Sequence, residues 1–373
     1  MSQHKSSKTL GIYVHIPFCK TVCTYCNFLT FAHKNKWIPD YIAALEKEIV
    51  TRSRQYTEYK ISTVYFGGGT PSLIEGELIE KIIQTIKTNF NCDTLEEIEL
   101  ESNPESLTKE KLEIYKRAGI TRLSLGVQSL NAKTLLKVAR PHDAKTIFRA
   151  LDLIKTEGWV NFGCDMIMGL PYQTLGEFKD QLETILSYHP THLSSYFLSY
   201  DTKKIDLFIK DCPQEEEQVD MYKHLIKRLK QGGFIHYEVS NYALPGYESK
   251  HNLRYWQKQE YLGLGIGSHS YVGEVVSENI RDFDKYLQNP MQYEETYRLD
   301  DDTERMDTVM LSLRQASGIN LINYAKKYGK SETKELLKQA REYTGKHLII
   351  SKEFISPTEE GFLIIDKITK DLI

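Results

Sequence analysis

Over its first two hundred residues the chain repeatedly changes hydrophobic period, and this restricts its fold more than any other feature. Runs at 11–16 (GIYVHI), 61–66 (ISTVYF), 97–102 (EIELES), 122–127 (RLSLGV), 160–168 and 192–198 read as strands. Helical stripes lie between them at 40–53, 73–89, 108–118, 131–137 with 143–157, and 174–188, and Gly119 stops the third. Six β–α units in this order predict an α/β fold of parallel strands joined by right-handed crossovers. Six are too few to close an eight-stranded barrel, which leaves a partial barrel or an open doubly wound sheet. After Gly233 the rhythm gives way to Gly- and Tyr-rich sequence. From about Asp301 helices resume, and two strand-like runs follow, HLIISKEFIS and GFLIIDKI. That tail predicts a small α+β, winged-helix-like domain. The expected organisation is a core domain over 1–235, a connecting region over 236–300 and a C-terminal domain over 301–373.

A chain of 373 residues with 40% hydrophobic content suffices for a large core and a smaller domain. Its net charge is −3 and no block of Lys or Arg argues for nucleic acid or a membrane surface. Nothing resembles a signal peptide, and no apolar run approaches the ~18 residues of a membrane span. Cys92, Cys164 and Cys212 are scattered, unlike a disulfide framework. A cytoplasmic location is the expectation, and in a reducing compartment clustered thiols point to metal or catalysis.

The cluster is in HIPFCKTVCTYCNF, where Cys19, Cys23 and Cys26 have the spacing C-x3-C-x2-C and no fourth cysteine follows nearby. Fe–S cubanes are normally held by four thiolates, so three suggest a cluster with one iron open to another ligand. Structural zinc, with His15 completing a Cys3His set, and unligated thiols are the alternatives. The second strand runs into YFGGGTPS, where Gly68 and Gly69 permit close backbone approach and Thr70 offers a hydroxyl. No Gly-Lys-Ser/Thr follows, so this is no P-loop; an ordinary tight βα turn is the plain alternative. In a parallel α/β fold both loops fall on the ligand-binding face.

Together, YVHIPFC, GGGTPS, LSLGVQS, DMIMGLPYQT and HNLRYW resemble the radical S-adenosylmethionine (SAM) superfamily, and within it the anaerobic coproporphyrinogen oxidase family with its haem-chaperone branch. The resemblance covers nearly the whole chain. It implies a partial (β/α)6 barrel whose three cysteines bind three irons of a [4Fe–4S] cluster, while SAM chelates the fourth. An electron from the cluster would then cleave the sulfonium to methionine and a 5′-deoxyadenosyl radical. The family's SAM contacts fall on Tyr13, Tyr25, Gly68, Gly69, Thr70 and Glu101. Gln128, Arg140, Asp165 and Ser199 match a second SAM pocket of the oxidases. Taken singly, these residues also read as core aromatics or solvated strand ends.

Two departures separate this chain from the decarboxylating oxidases. These carry a further cysteine two residues after the third, where this chain has Phe28, and a long N-terminal segment, where only 18 residues precede Cys19. Both departures match the haem-chaperone branch. There HNLRYW corresponds to a haem-binding motif, with His251, Asn252, Tyr255 and Trp256 as the contacts. On a helix His251 and Tyr255 share a face, and imidazole is a common axial ligand of haem iron. A hydrogen-bonded histidine beside core aromatics is the structural alternative. The implied partners are haem as cargo, a haem-accepting protein and an electron donor. An oxygen-independent coproporphyrinogen-III oxidase, or another radical SAM enzyme acting on a tetrapyrrole, is the competing function. GLGIGSHS at 263–270 lacks the spacing and strand–turn–helix setting of a dinucleotide fingerprint, and a Ser268–His269 hydrolase lacks an elbow and an acid.

Overall fold

The computed structural model describes residues 8–199 and 209–373. Strands β1 (Lys8–Ile16), β2 (Tyr59–Gly68), β3 (Glu97–Ser102), β4 (Arg122–Gln128), β5 (Phe162–Met168) and β6 (His192–Phe197) form a parallel sheet in their chain order. A doubly wound sheet reverses strand order at a switch point. Here six strands follow without a reversal, so every crossover steps the same way, as barrel staves do. The partial (β/α)6 expectation therefore holds over the open doubly wound one. Leu10, Ile12, Val14 and Ile16 are wholly buried and Gly11 and His15 nearly so, as expected of a parallel strand covered on both faces.

The intervening helices are α1 (Ile38–Ser53), α2 (Gly76–Asn89), α3 (Lys109–Ala118), α4 (Ala132–Lys137), α5 (Ala144–Thr156) and α6 (Leu175–Leu186). Four start on side-chain caps: Thr108, Asn131, Asp143 and Thr174 each accept from a backbone N–H of the first turn, and Thr174 with Glu177 closes a capping box. Gly119 ends α3 in the left-handed conformation, at φ 90°.

The Gly-rich stretch that broke the sequence rhythm extends the sheet. Strand β7 (Tyr261–Leu264) pairs parallel with the free edge of β1, and β8 (His269–Val272) and β9 (Val275–Asn279) continue antiparallel. A buried polar cluster fastens this extension to α1. Glu48 and Arg52 pair at 2.7 Å with side chains 0% and 1% exposed. Glu48 also accepts from the Gly265 N–H, the Asn279 amide and the Tyr286 hydroxyl, and Arg52 donates to Asn279 and Tyr293. Every oxygen of the buried carboxylate is thus paired, which is the condition for tolerating its charge.

The chain divides into two compact units, Met1–Met221 with Glu260–Tyr297, and Tyr222–Gln259 with Arg298–Ile373. Residues 236–300 contribute to both. The second unit has helices Asp301–Leu313 and Leu321–Ala340, and an antiparallel sheet in the order Ile319–Asn320, Phe354–Pro357, Leu348–Ile350. HLIISKEFIS forms the hairpin expected of it. GFLIIDKI does not form a strand: Glu359–Phe362 and Ile365–Leu372 are helices. Ile365, Ile368, Thr369 and Leu372 are buried at three- and four-residue spacing, and this face outweighs the β propensity of the isoleucines. Among the described residues no helix is long and apolar enough to cross a membrane.

Glu48→Ala leaves the Arg52 charge buried and unpaired. It should cost about 3–5 kcal/mol, read as a lower urea midpoint by circular dichroism; an unchanged midpoint would mean water enters the cluster.

Candidate functional site: a cysteine loop and the cavity beneath it

The site is built on the contact between β1 and β2. At the end of β1 the chain turns at Pro17 into Phe18–Cys19, which pairs with Phe31–Ala32 and closes a loop carrying all three clustered cysteines. Several bonds pin the loop. Phe31 N–H donates to Pro17 O at 2.7 Å, Cys26 N–H to Cys23 O at 3.0 Å, and Thr24 N–H to Val138 O at 3.3 Å. The buried His15 ring bonds Leu29 O through Nε2 at 2.9 Å and the Tyr13 hydroxyl through Nδ1 at 3.0 Å. The glycines of β2 dock directly on this loop. Gly69 N–H donates to Ile16 O and Thr70 N–H to Phe18 O, both at 2.8 Å. A Cβ on Gly69 would lie 2.7–2.9 Å from backbone atoms of Ile16, Pro17 and Phe18, and Gly68 sits at φ 108° against the His15 ring. These glycines therefore serve backbone-to-backbone approach as well as opening the floor to a ligand.

Beneath the loop lies a cavity of about 370 Å³. Cys19, Cys23, Cys26, Tyr25, Gly68, Gly69, Thr70, Glu101, Gln128, Arg140, Asp165 and Ser199 all line it, so the structure brings together every cluster and SAM position expected from sequence except Tyr13. Tyr13 stands behind the wall, stacked on Tyr65 with ring centroids 6.0 Å apart. Gln128 enters the cavity at a β-bulge, where register shifts after Gly126 and its own φ is 63°. Phe28, at 73% exposure, lies on the rim with Tyr196 and Phe197.

The electrostatics follow from burial. Burial pushes the Cys19 thiol up to about 11, although the Thr70 hydroxyl at 3.5 Å works the other way. At neutral pH a ligand-free Cys19 is therefore protonated, and a metal must displace that proton to bind. Burial raises Glu101 to about 7, opposed by a 2.5 Å hydrogen bond from Tyr65. Burial likewise raises Asp165 to about 6, opposed by Ser194 and by Ser124, which bonds both carboxylate oxygens. Burial alone would weaken the Arg140 charge, but Tyr25 and Cys23 beside it raise its pKa instead. The guanidinium points to Cys23 Sγ at 3.6 Å, Asn103 Oδ1 at 2.9 Å and Gly126 O at 2.7 Å.

The donor set suits a cluster better than a single ion. Both nitrogens of His15 are engaged, which removes it from a Cys3His set. Zinc–sulfur bonds of about 2.3 Å would gather the sulfurs to within about 4 Å of one another. Among the described residues no three His, Cys, Asp or Glu side chains converge for one ion. Thiolates serving three separate irons stand wider apart.

The sequence reading missed Tyr65, Asn103, Ser124 and Gly126. Asn103 was open to detection, since it follows Glu101 by two residues at the same strand end in ESNPES. Gly126 was not, because its role depends on a neighbouring strand: a Cβ there would fall 2.9 Å from Asn103 Oδ1 and 3.2 Å from Arg140.

The residues expected to contact haem belong to the second unit, on helix α7 (Lys250–Trp256), capped by Ser249. His251 is wholly buried and its Nε2 shares a 3.0 Å hydrogen bond with the Tyr255 hydroxyl. Asn252, Tyr255 and Trp256 are half-buried.

The Radical SAM superfamily model matches residues 13–185, which include the end of β1, the cysteine loop and strands β2–β5. The haem chaperone HemW of Bacillus subtilis is 32% identical over 329 residues, covering 86% of this chain and 87% of that protein. The chain belongs to the HemW family. HemW of Lactococcus lactis is 30% identical over 363 residues, covering 95% of each chain. Among solved structures, the Escherichia coli radical SAM enzyme coproporphyrinogen III oxidase (HemN) superposes with a TM-score of 0.85 at 24% identity, covering 98% of this chain and 90% of that one. That likeness shows a shared fold. As a HemW-family, radical SAM protein the chain carries a [4Fe–4S] cluster and SAM.

Gly126→Ala would crowd Asn103 and Arg140 together. It should cost about 1–3 kcal/mol of stability and lower iron uptake on reconstitution; full stability would show that the wall yields.

Proposed function

We propose that this chain is a haem chaperone that carries one [4Fe–4S] cluster and SAM, binds haem and transfers it to an acceptor protein in the cytoplasm. The observation that carries the reading is the joint one: HemW relatives align over most of the chain, and a single cavity gathers the residues such a protein needs for its cofactors. Phe28, where the decarboxylating oxidases have a cysteine, favours transfer over decarboxylation.

In this reading Cys19, Cys23 and Cys26 hold the cluster, and Gly68, Gly69, Thr70 and Glu101 receive SAM, with Tyr25 closing the side. When bound, the cluster supplies an electron to the sulfonium of SAM, and an external donor must replenish it. The chain's own part is to bind, orient and exclude water. The glycine loop keeps the floor low enough for the methionine end, and Glu101 offers hydrogen-bond acceptors to the ribose or amino group. Gln128, Arg140, Asp165 and Ser199 form the far wall.

Haem contact falls to His251, Asn252, Tyr255 and Trp256. Burial drives His251 down to about 3, so its imidazole is neutral, the form that ligates iron. Ligation at Nε2 requires the Tyr255 hydroxyl to yield. Tyr255→Phe should then strengthen haem binding by about two- to tenfold, the loss of one competing hydrogen bond of about 0.5–1.5 kcal/mol. His251→Ala should weaken binding and shift the Soret band. Weaker binding in Tyr255→Phe, with an unchanged spectrum in His251→Ala, would remove His251 as the ligand.

Two further outcomes are expected of reconstituted protein. It should bind haem at about one per chain and leave coproporphyrinogen III unconverted with SAM and reductant supplied; protoporphyrinogen IX in that assay would establish the oxidase instead. SAM affinity should rise as pH increases through about 7, because an ionised Glu101 accepts hydrogen bonds with both oxygens and more strongly than the protonated acid, and Glu101→Gln should flatten the profile. An equally steep profile in that variant would assign the titration elsewhere.

A further inference from the structure

We infer that Asn103 is a positioning residue that holds in place the hydrogen-bond donors of two of the three cluster cysteines and thereby raises the reduction potential of the cluster. The inference rests on the cluster reading above and deepens it.

Three side chains link the sulfurs of Cys19 and Cys23 in an unbroken path. Thr70 Oγ1 lies 3.5 Å from Cys19 Sγ, Asn103 Nδ2 is 3.0 Å from Thr70 Oγ1, Arg140 is 2.9 Å from Asn103 Oδ1, and Arg140 reaches Cys23 Sγ at 3.6 Å. The residues come from three separate strand ends, β2, β3 and the segment after β4, so only the folded sheet assembles the path.

One member sets the polarity of all the others. A guanidinium only donates. Arg140 therefore obliges the Asn103 amide to present its oxygen, which turns Nδ2 toward Thr70. The Thr70 oxygen accepts that bond and sends its single proton to Cys19. Both ends of the path thus deliver a hydrogen to sulfur, one from a hydroxyl and one from a cation. Were the amide reversed, Arg140 would face an NH2 group and Thr70 would lose its donor. The Arg140 contact with Gly126 O holds the guanidinium in this orientation, and only a glycine at 126 leaves it room.

A reduced cluster carries more negative charge on its sulfurs than an oxidised one. Hydrogen bonds and a half-buried cation beside those sulfurs favour the reduced form, so the potential rises. The bonds do not require SAM, and so act before it binds. Asn103 touches neither sulfur, yet its removal frees both donors.

The test uses the full chain, reconstituted anaerobically, with iron and sulfide measured first. Wild-type protein that takes up no cluster would remove the cluster reading itself. With cluster present, a redox titration followed by electron paramagnetic resonance, without SAM, should give a lower midpoint potential for Asn103→Ala at full iron content. Thr70→Val, nearly isosteric but without the hydroxyl, should shift the potential in the same direction. The two shifts should combine to less than their sum in the double variant, because both interrupt one path. A wild-type potential in fully loaded Asn103→Ala would overturn the inference. If that variant does not hold a cluster, Thr70→Val decides: a lowered potential supports the path, and an unchanged one overturns it.

Discussion

The structure depends on the docking of the β2 glycine loop against the end of β1. Two backbone hydrogen bonds, Gly69 to Ile16 and Thr70 to Phe18, hold the base of the cysteine loop against the strand that will face the ligand. Backbones approach this closely only where no Cβ intervenes, as at Gly69. The contact brings Thr70 to Cys19, lets the His15 ring lie over Gly68, and leaves the cavity open below. From the other side, the Tyr41 hydroxyl donates to His15 O and accepts from Ile266 N–H, tying the same strand end to α1 and to the Gly265 turn. The cysteine loop is therefore clamped between two glycine-rich turns, each on a strand paired with β1.

This clamp accounts for the division of labour among the buried charges. Glu48 and Arg52 are satisfied completely within the first unit and serve its cohesion. Glu101, Asp165 and Arg140 are half-buried where they line the cavity, and the two carboxyls have fewer partners than Glu48. Burial raises both carboxyls toward neutrality, which lowers the cost of holding two acids in one apolar chamber until a ligand repays their ionisation. Arg140 keeps its charge, as a guanidinium does at any physiological pH.

Most of the first unit was legible because its signals are local. Strand and helix periods, caps such as Thr174 with Glu177, and the Gly119 stop depend on neighbours in sequence. The cysteine triplet and GGGTPS were legible for a similar reason: each is one short loop with one geometric demand. What escaped was what only pairing decides. Strand β7 has four residues, one of them a glycine, and it becomes a strand because β1 offers a free edge. Asn103 and Gly126 acquire their roles from residues on other strands. At the C-terminus the isoleucines of GFLIIDKI suggested a strand, and the helix prevailed through a buried face at three- and four-residue spacing. His251 was legible as a helical partner of Tyr255, but sequence offered no sign that its ring is wholly buried with Nε2 bonded to the Tyr255 hydroxyl.

With three cysteines as its protein ligands, the cluster keeps one iron position open for SAM. Electron paramagnetic resonance of the reduced, reconstituted protein tests it most directly. Adding SAM should change the g-values of the cluster signal, since a new ligand alters the electronic environment of one iron. An unchanged spectrum at saturating SAM, with the cluster present at full stoichiometry, would mean that no iron of the cluster is open to SAM.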